Sequence, residues 1–281
     1  MRISSLLLAG TAAVTLAVPV VALAQEVPPP PADPAAQPAP DPAATTPTTP
    51  TTPTTPTTPT TPTWPELPPT RLKTPTATTS WVGRLLVTTP IRRQPGPGGK
   101  AFKLLQPIAP LGAGPVWLEV RGVKDVRGTR WVKVLLPQRP NGTAGWARAD
   151  DFTFSEIHSR IEIDLGDRHL TVLRSGKRVA QFPIAVGAPS TPSPTGTFAI
   201  AEIIPTGDPK AFLGPIVMPL TAFSNALNEF AGGNGRVAIH GTSLPELIGQ
   251  PVSHGCIRMR NADIRRVAHI VSPGSRVVIR Q

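Results

Sequence analysis

The sequence predicts a mainly β protein, in which two strand-rich segments follow a long stretch of proline and threonine. Short runs of alternating apolar and polar residues recur from about residue 80 to the C-terminus, and clusters of glycine and proline separate them. Of the 38 prolines in 281 residues, 18 lie in residues 26–75. The remainder are scattered, which indicates a loop-rich folded part rather than a disordered one.

Residues 1–24 have the pattern of a signal peptide. Arg2 precedes an apolar run that continues to Ala22-Leu23-Ala24, a small-x-small site for cleavage before Gln25. An uncleaved membrane anchor is the alternative, but Pro19 favours cleavage. We therefore predict an exported protein of the cell envelope, periplasmic or in the wall, whose membrane contact is transient and made through the signal peptide.

Residues 25–79 are predicted to be a disordered linker. Six consecutive Thr-Thr-Pro triplets run from Thr45 to Pro62. Proline at every third position fixes φ and removes backbone donors, which leaves polyproline II or a disordered chain. A spacer that carries the folded part away from a membrane and an inert tail fit this composition equally well.

Charge and cysteine content exclude several kinds of site. The chain has 28 Lys+Arg against 17 Asp+Glu, a formal net charge of +11, which favours anionic partners such as wall polymers. Basic residues are not interleaved with aromatic ones, so we predict no nucleic-acid partner. A single cysteine excludes an intramolecular disulfide and a cysteine-rich zinc site, and we predict no metal.

Residues 80–154 read as a small β-barrel of about five short strands. The β-prone run Trp81–Thr88 is followed by a turn cluster from Arg92 to Gly99, and further strand runs end near Arg148. This segment resembles bacterial SH3-like domains, through its proline-glycine turn and the placement of Trp131 and Trp146. The resemblance implies either binding of wall peptides or support of the neighbouring domain.

Residues 159–281 begin with two alternating strands, Ile161–Leu165 and His169–Leu173, and Ser175-Gly176-Lys177 predicts a hairpin turn after them. A last strand is predicted over Ser275–Ile279. We predict one helix near Thr221–Phe230. A second has Asn261 as its N-cap and Pro273-Gly274 as its stop signal.

The only thiol lies in the sequence Ser253-His254-Gly255-Cys256-Ile257-Arg258, and a second histidine lies upstream in His240-Gly241-Thr242. A thiol nucleophile needs a base or a lowered pKa, and imidazole supplies either. Taken alone, Cys256 is equally well a buried apolar side chain and His240 a core histidine. Together they indicate a catalytic pair, because an unpaired thiol is a liability in an oxidising compartment.

These residues resemble the signature of the L,D-transpeptidase catalytic domain, the YkuD domain. The supporting matches are the strands of Ile161–Leu173, the sequence Pro194-Thr195-Gly196-Thr197-Phe198 and the Asn261–Ile264 region. The resemblance covers the whole second segment. It implies a β-sandwich with short helices as the catalytic domain of residues 159–281.

The resemblance also implies an activity and roles for individual residues. Cys256 is the nucleophile that forms a thioester with a peptidoglycan tetrapeptide stem, releasing D-alanine before an amine acceptor completes a 3→3 cross-link. His240 donates and accepts the proton, and the Gly241 carbonyl or a neighbouring group orients its ring. His254, the Gly255 backbone N–H and the Cys256 backbone N–H shape the oxyanion hole. The residues implied in substrate binding are Ser253, Arg258, Gly241 and Thr242, and no cofactor is implied.

Four alternatives compete with this interpretation. NlpC-type endopeptidases place the cysteine before the histidine, and sortases lack the His-Gly-Cys sequence, so neither class fits. An L,D-carboxypeptidase would share the same thioester and hydrolyse it, and the sequence leaves that reaction open. A non-catalytic wall-binding protein fits the basic charge but gives no reason for the Cys256 and His240 pair.

Overall fold

The structure is a computed structural model that describes residues 66–230 and 232–281. The predicted signal peptide of residues 1–24 and the part of the predicted linker in residues 25–65 lie outside the described residues. Residues 66–79, which belong to the predicted linker, contact the folded part at Leu67 and Leu72. Leu67 pairs with Phe154 through two backbone hydrogen bonds, and Leu72 is buried. The contacts of these two apolar side chains, one of them beside a strand edge, order this stretch despite its prolines.

The first folded segment is a seven-stranded sheet with its own apolar core. Its strands are β1 (Ser80–Leu85), β2 (Thr89–Arg92), β3 (Ala101–Leu105), β4 (Trp117–Val126), β5 (Thr129–Leu135), β6 (Ala144–Arg148) and β7 (Phe152–Ile157). The hydrogen-bonded order is β3-β2-β6-β5-β4-β1-β7. The sheet continues through Ile157, past the predicted end at residue 154, and its assignment as an SH3-like barrel stays a prediction.

The second segment contains eleven further strands and one α-helix, α1 (Asn261–Ala268). The strands are β8 (Ser159–Asp164), β9 (His169–Arg174), β10 (Lys177–Pro183), β11 (Val186–Gly187), β12 (Gly196–Ala199), β13 (Ile204–Pro205), β14 (Ile216–Phe223), β15 (Arg236–His240), β16 (Pro251–Ser253), β17 (Ile257–Arg258) and β18 (Arg276–Arg280). They form a five-stranded sheet, β10-β9-β8-β18-β12, a four-stranded sheet, β13-β14-β15-β17, and the pair β11-β16.

The two larger sheets of the second segment share one apolar core. Ile161 and Val277 from the five-stranded sheet, and Leu220 and Ile239 from the four-stranded sheet, belong to the same buried cluster. Ile264 and Val267 of α1 belong to it as well. The fold of the described residues is thus mainly β, as predicted, with its chemistry-bearing residues on the four-stranded sheet.

The β9–β10 hairpin forms as the sequence predicts. Ser175 and Gly176 both have positive φ, 49° and 79°, as a two-residue type I′ turn requires. Strands β8 and β9 pair in the register Ile161 to Val172 and Ile163 to Leu170, so that their apolar side chains lie on the core face. The alternation of apolar and polar residues was enough to predict β8 and β9, because each of these strands buries only one face.

The predicted helix near Thr221–Phe230 is wrong. Strand β14 occupies Ile216–Phe223, and residues 224–230 form a loop. All but one of the residues of β14 are buried, so the segment has no polar face whose period could distinguish a strand from a helix. The second predicted helix is present as α1, but its N-cap is Arg260 rather than Asn261.

Buried polar contacts join the two segments. The Glu119 carboxylate of β4 is fully buried and contacts two guanidinium groups, Arg121 at 2.9 Å and Arg276 of β18 at 2.6 Å. Arg121 also donates to the Thr197 carbonyl at 3.1 Å. Burying a carboxylate without a positively charged partner costs much free energy, so Glu119 keeps both arginines beside it. The three side chains thereby hold the first sheet against β12 and β18.

Candidate active site

Parallel pairing of β15 with β17 places the predicted catalytic residues on one face of the sheet. Ile239 pairs with Ile257, and His240 with Arg258. Cys256 directly precedes β17 and therefore lies level with Ala238, two residues before His240. Since alternate residues of a strand share a face, His240, Cys256 and Arg258 lie on the same side.

His240 ends β15 and is only 2% exposed. Its Nδ1 lies 2.6 Å from the Gly241 carbonyl oxygen, a contact in which the neutral imidazole donates and leaves Nε2 as an acceptor. The pKa of His240 is lowered to about 4, mainly by burial and in part by the Arg258 charge, while the hydrogen bond to the Gly241 carbonyl raises it. The ring is therefore neutral at pH 7.

Cys256 is a free, partly exposed thiol. Its Sγ accepts a hydrogen bond from the Ala238 backbone N–H at 3.4 Å. Burial raises the pKa of the Cys256 thiol, while the Ala238 N–H and the Arg258 charge act in the opposite direction. With burial the largest effect, the resting site holds a neutral thiol beside a neutral imidazole.

The loop that carries Cys256 is held by Ser253. The Ser253 hydroxyl donates to the Cys256 carbonyl at 2.6 Å and accepts from the Gly255 N–H at 3.1 Å. Gly255 has φ of 112°, a conformation that side chains beyond glycine rarely adopt. We predicted that the Gly255 N–H lines an oxyanion hole; the structure gives that N–H to Ser253 Oγ. The oxyanion role stays a prediction and falls first on the Cys256 N–H.

Arg258 is 3% exposed, and its guanidinium lies 4.9 Å from the centre of the Phe212 ring. The backbone of Arg258 exchanges two hydrogen bonds of 2.9 Å with Ala185, which fixes β17 from its other side. The position of this side chain allows its positive charge to act on both His240 and Cys256.

Asn261 fixes the segment after His240, a role that the sequence reasoning missed by taking this residue for a helix cap. Its Oδ1 accepts from the Thr242 N–H at 2.9 Å, and its Nδ2 donates to the Pro209 carbonyl at 2.9 Å. A Cβ at Gly241 would collide with Asn261 Oδ1, so the close approach requires glycine there. Asn261 thereby holds the Gly241 carbonyl that contacts His240.

A cavity of about 250 Å³ lies over these residues. Five predicted site residues line it: His240, Ser253, His254, Cys256 and Arg258. Gly241, Thr242 and Gly255 lie beside it but are outside its lining. The apolar wall, which the sequence did not predict, includes Phe212, Leu213, Leu227 and Phe230.

Sequence comparison assigns this arrangement to a known family. A profile of the L,D-transpeptidase catalytic domain, YkuD, matches residues 158–279. The YkuD protein of Bacillus licheniformis is 38% identical over 162 residues, which are 55% of this chain and 88% of that protein. The chain belongs to the YkuD family. The YkuD protein of Bacillus subtilis is 36% identical over 125 residues, covering 44% of this chain and 66% of the relative.

The chain is also similar to solved structures of L,D-transpeptidases. The catalytic domain of the Enterococcus faecium L,D-transpeptidase has 23% identity and a TM-score of 0.34, covering 43% of this chain and 96% of that one. An L,D-transpeptidase from Mycobacterium smegmatis has 17% identity and a TM-score of 0.36, covering 58% of this chain and 99% of that one.

The YkuD profile begins at residue 158, between β7 and β8, and includes both His240 and Cys256. The seven-stranded sheet lies before the matched region. Among residues 66–230 and 232–281, no group of three or more histidine, cysteine, aspartate or glutamate residues is placed to hold a metal ion. Within the same ranges, no helix has the length and apolar character needed to cross a membrane.

Phe230 contacts a predicted site residue, although no motif in the sequence indicated that it belongs to the site. Its ring stacks on the His254 ring, with centroids 4.3 Å apart and planes 25° from parallel. Phe230 lies far from the His-Gly-Cys sequence along the chain and within the segment that we predicted as helical. The contact between Phe230 and His254 can be recognised only in the three-dimensional structure, where the loop of Phe230 lies over the site.

Proposed function

We propose that this protein is a peptidoglycan L,D-transpeptidase that forms 3→3 cross-links through a thioester on Cys256. The observation that carries the proposal is the register of β15 and β17, which places His240 and Cys256 on one face beneath a shared cavity. Membership of the YkuD family supports the same chemistry. The donor would be a tetrapeptide stem and the acceptor an amine of a neighbouring stem.

Acylation begins with a neutral pair. Because the pKa of His240 lies near 4 and burial raises the pKa of the thiol, the proton resides on sulfur at pH 7. Cys256 Sγ attacks the carbonyl carbon of the diamino acid at the third stem position while its proton passes to His240 Nε2. The carbonyl oxygen becomes an oxyanion, for which the Cys256 N–H is the nearest backbone donor along the chain.

Collapse of the tetrahedral intermediate breaks the bond from carbon to nitrogen. His240 returns its proton to the departing nitrogen, so D-alanine leaves with a neutral amino group. The rest of the donor stem stays bound to Cys256 as a thioester. Before this collapse, the positive charge of the buried Arg258 would stabilise the oxyanion. No cofactor is required for either step.

Transfer repeats the sequence with a different nucleophile. The acceptor amine attacks the thioester carbon while His240 takes a proton from the amine. The bond from carbon to sulfur then breaks, and His240 returns the proton to the Cys256 sulfur. Water in place of the amine would give the hydrolysis of an L,D-carboxypeptidase. The apolar wall formed by Phe212, Leu227 and Phe230 favours transfer, because it limits the water beside the thioester.

We further propose that the protein works outside the cytoplasm. Peptidoglycan lies there, and the predicted signal peptide of residues 1–24 would deliver the chain to it. The formal charge of +11 would draw the protein to an anionic wall. Within this proposal, the SH3-like segment either binds wall peptides or supports the catalytic domain.

The test is incubation of residues 25–281 with purified disaccharide-tetrapeptide, with products identified by mass spectrometry. Cross-linked dimers with free D-alanine are expected. Monomeric tripeptide without dimers would replace transfer by hydrolysis. Unchanged substrate would contradict an enzymatic role and leave the non-catalytic wall-binding protein as the interpretation.

A further inference from the structure

The first segment reaches over to the wall of the cavity through one loop, residues 136–143, which connects β5 and β6. This β5–β6 loop contains two side chains, Arg139 and Asn141, that bind backbone groups of the second segment. The groups they bind belong to β14 and to the pocket loop, defined as residues 224–230 and 232–235. The pocket loop contributes Ser224, Leu227 and Phe230 to the cavity lining.

Arg139 connects the two ends of the pocket loop. Its Nη1 donates to the Ser224 carbonyl at 2.6 Å, and its Nη2 donates to the Leu227 carbonyl at 2.8 Å and to the Asn234 carbonyl at 3.3 Å. One planar guanidinium thus bridges the outgoing and returning parts of the loop. The fixed fork of arginine suits this task, whereas a lysine ammonium has a single donor centre.

Asn141 acts on the strand from which the pocket loop leaves. Its Nδ2 donates to the Phe223 carbonyl and its Oδ1 accepts from the Phe223 N–H, both at 2.8 Å. The side-chain amide therefore pairs with the last residue of β14 as a neighbouring strand would. The position at which the loop departs from the sheet is fixed by a residue of the first segment.

The pocket loop has hydrogen bonds of its own only near its base and its tip. The Ser224 N–H donates to the Gly235 carbonyl at 2.8 Å, and the Ser224 hydroxyl oxygen accepts from the N–H groups of Ala226 and Leu227. Phe230 and Gly233 exchange two backbone hydrogen bonds of 2.9 Å.

Most of the described residues of the pocket loop are exposed, including Asn225, Ala226 and Asn234. Phe230 is 42% exposed even though it stacks on His254. A segment with little buried apolar surface opens readily unless hydrogen bonds tie it down, and Arg139 supplies three such bonds from outside the second segment.

The β5–β6 loop itself is braced for this role. The Leu136 N–H donates to the Thr143 carbonyl at 2.9 Å, and Thr143 donates to the Pro140 carbonyl through its N–H at 3.2 Å and its hydroxyl at 2.6 Å. The Arg139 guanidinium also lies 5.1 Å from the centre of the Phe223 ring. Arg139 and Asn141 are therefore presented from a loop that has its own internal hydrogen bonds.

We propose that Arg139 and Asn141 are positioning residues for the active site, through which the first segment sets the shape of the donor-stem pocket. The proposal rests on the function proposed above. It makes the first segment part of the binding apparatus, with a role distinct from attachment to the wall. Neither residue touches the reacting atoms, since His240 and Cys256 are placed by β15 and β17.

The effect of Arg139→Ala should therefore appear in binding rather than in chemistry. We expect the KM for disaccharide-tetrapeptide to rise about 10-fold, the order of losing hydrogen bonds from a charged donor, with kcat changed by less than about 2-fold. Alkylation of Cys256 by iodoacetamide should keep its rate, because this small reagent does not need the pocket wall. Arg139→Lys should lie between the wild type and the alanine variant.

Amide hydrogen exchange provides a readout that is independent of turnover. In Arg139→Ala and in Asn141→Ala, exchange should become faster in the pocket loop and stay unchanged in β8 and β9. The matched control is Arg148→Ala, which removes an exposed arginine of the same sheet whose ion pair with Asp150 lies outside the pocket loop. This control should match the wild type in KM and in exchange.

Three results would overturn the proposal. The first is a KM and a loop exchange in Arg139→Ala equal to those of Arg148→Ala. The second is loss of kcat together with faster exchange throughout the chain, which would mark Arg139 as a general stability residue. The third is faster iodoacetamide alkylation without a change in KM. If the wild type turned over no tetrapeptide, the proposed function would fail, and loop exchange would decide the positioning role alone.

Discussion

At the residue scale, the site is a neutral thiol beside a neutral imidazole. The Gly241 carbonyl fixes the tautomer of His240, and the Ala238 N–H fixes the position of Cys256 Sγ. The Ala238 N–H lies in β15 and the Gly241 carbonyl directly follows it, so backbone groups of one short stretch orient both side chains before substrate arrives. Because a base with a pKa near 4 is weak, the proposed proton transfer depends on this fixed placement of the two side chains.

The low pKa of His240 predicts a pH dependence of stability. The unfolded chain binds the histidine proton near pH 6.5 and the folded chain only near pH 4, so falling pH favours unfolding between these values. The stability contributed by neutral His240 should be complete above about pH 6.5 and fall by about 3 kcal/mol on reaching pH 4. Urea unfolding of the wild type and of His240→Gln at pH 7 and pH 4.5 measures it.

The wild type should lose more unfolding free energy than His240→Gln over this range. Equal losses in the two proteins would contradict a buried neutral histidine. The same protonation should reduce the acylation rate as pH falls toward 4, because the imidazolium cannot accept the thiol proton.

The sequence indicated the candidate pair His240 and Cys256 but not the residues that surround it. His240 and Cys256 lie in short local motifs, and their residue types carry the chemistry. Asn261, Phe230 and Arg139 act through hydrogen bonds and ring contacts between segments distant along the chain. No local pattern encodes such contacts, because they depend on which loops the topology brings together.

At the element scale, strands with one buried face were predictable and fully buried ones were not. β8 and β9 alternate, and the hairpin after β9 has the Ser175-Gly176 turn signal. β14 is buried on both faces, so its apolar run gave no period, and the segment was partly assigned to a helix. The start of α1 was displaced by one residue because the Asn261 side chain is used for Thr242 instead of the helix end.

This use of Asn261 predicts the effect of its removal. Asn261→Ala leaves the Thr242 N–H and the Pro209 carbonyl without this partner, which should cost about 1–3 kcal/mol of unfolding free energy. Acylation should slow as well, because the Gly241 carbonyl that orients His240 is no longer held. Denaturant unfolding and the acylation rate are the two measurements.

Asn261→Asp is the matched variant for this position. It retains the acceptor for the Thr242 N–H and loses the donor to Pro209. It should keep more of the acylation rate than Asn261→Ala does. Equal rates in the two variants would contradict a role for the Thr242 contact.

At the scale of the whole molecule, the two segments are joined through one fully buried carboxylate and two partly buried guanidinium groups. Glu119 is fully buried between Arg121 and Arg276, and burial raises its pKa against the effect of both arginines. Removing the carboxylate would leave two guanidinium groups without their common partner. We therefore expect this contact to contribute far more to the free energy of unfolding than an exposed ion pair does.

Glu119→Ala should lower the free energy of unfolding by about 3–5 kcal/mol, the range found on breaking a buried ion pair. Asp150→Ala, which breaks the exposed pair with Arg148, should cost at most about 1 kcal/mol. Urea unfolding of both variants checks the difference. Similar losses in the two variants would show that the buried cluster does not join the segments.

The central claim is that Cys256 forms a covalent acyl-enzyme, and intact-mass measurement after incubation with a carbapenem tests it most directly. The wild type should gain the mass of one carbapenem, and Cys256→Ala should gain none. His240→Ala should react about 10²–10⁴ times more slowly, the usual loss of a general base. An adduct of unchanged mass and rate on Cys256→Ala would contradict the account.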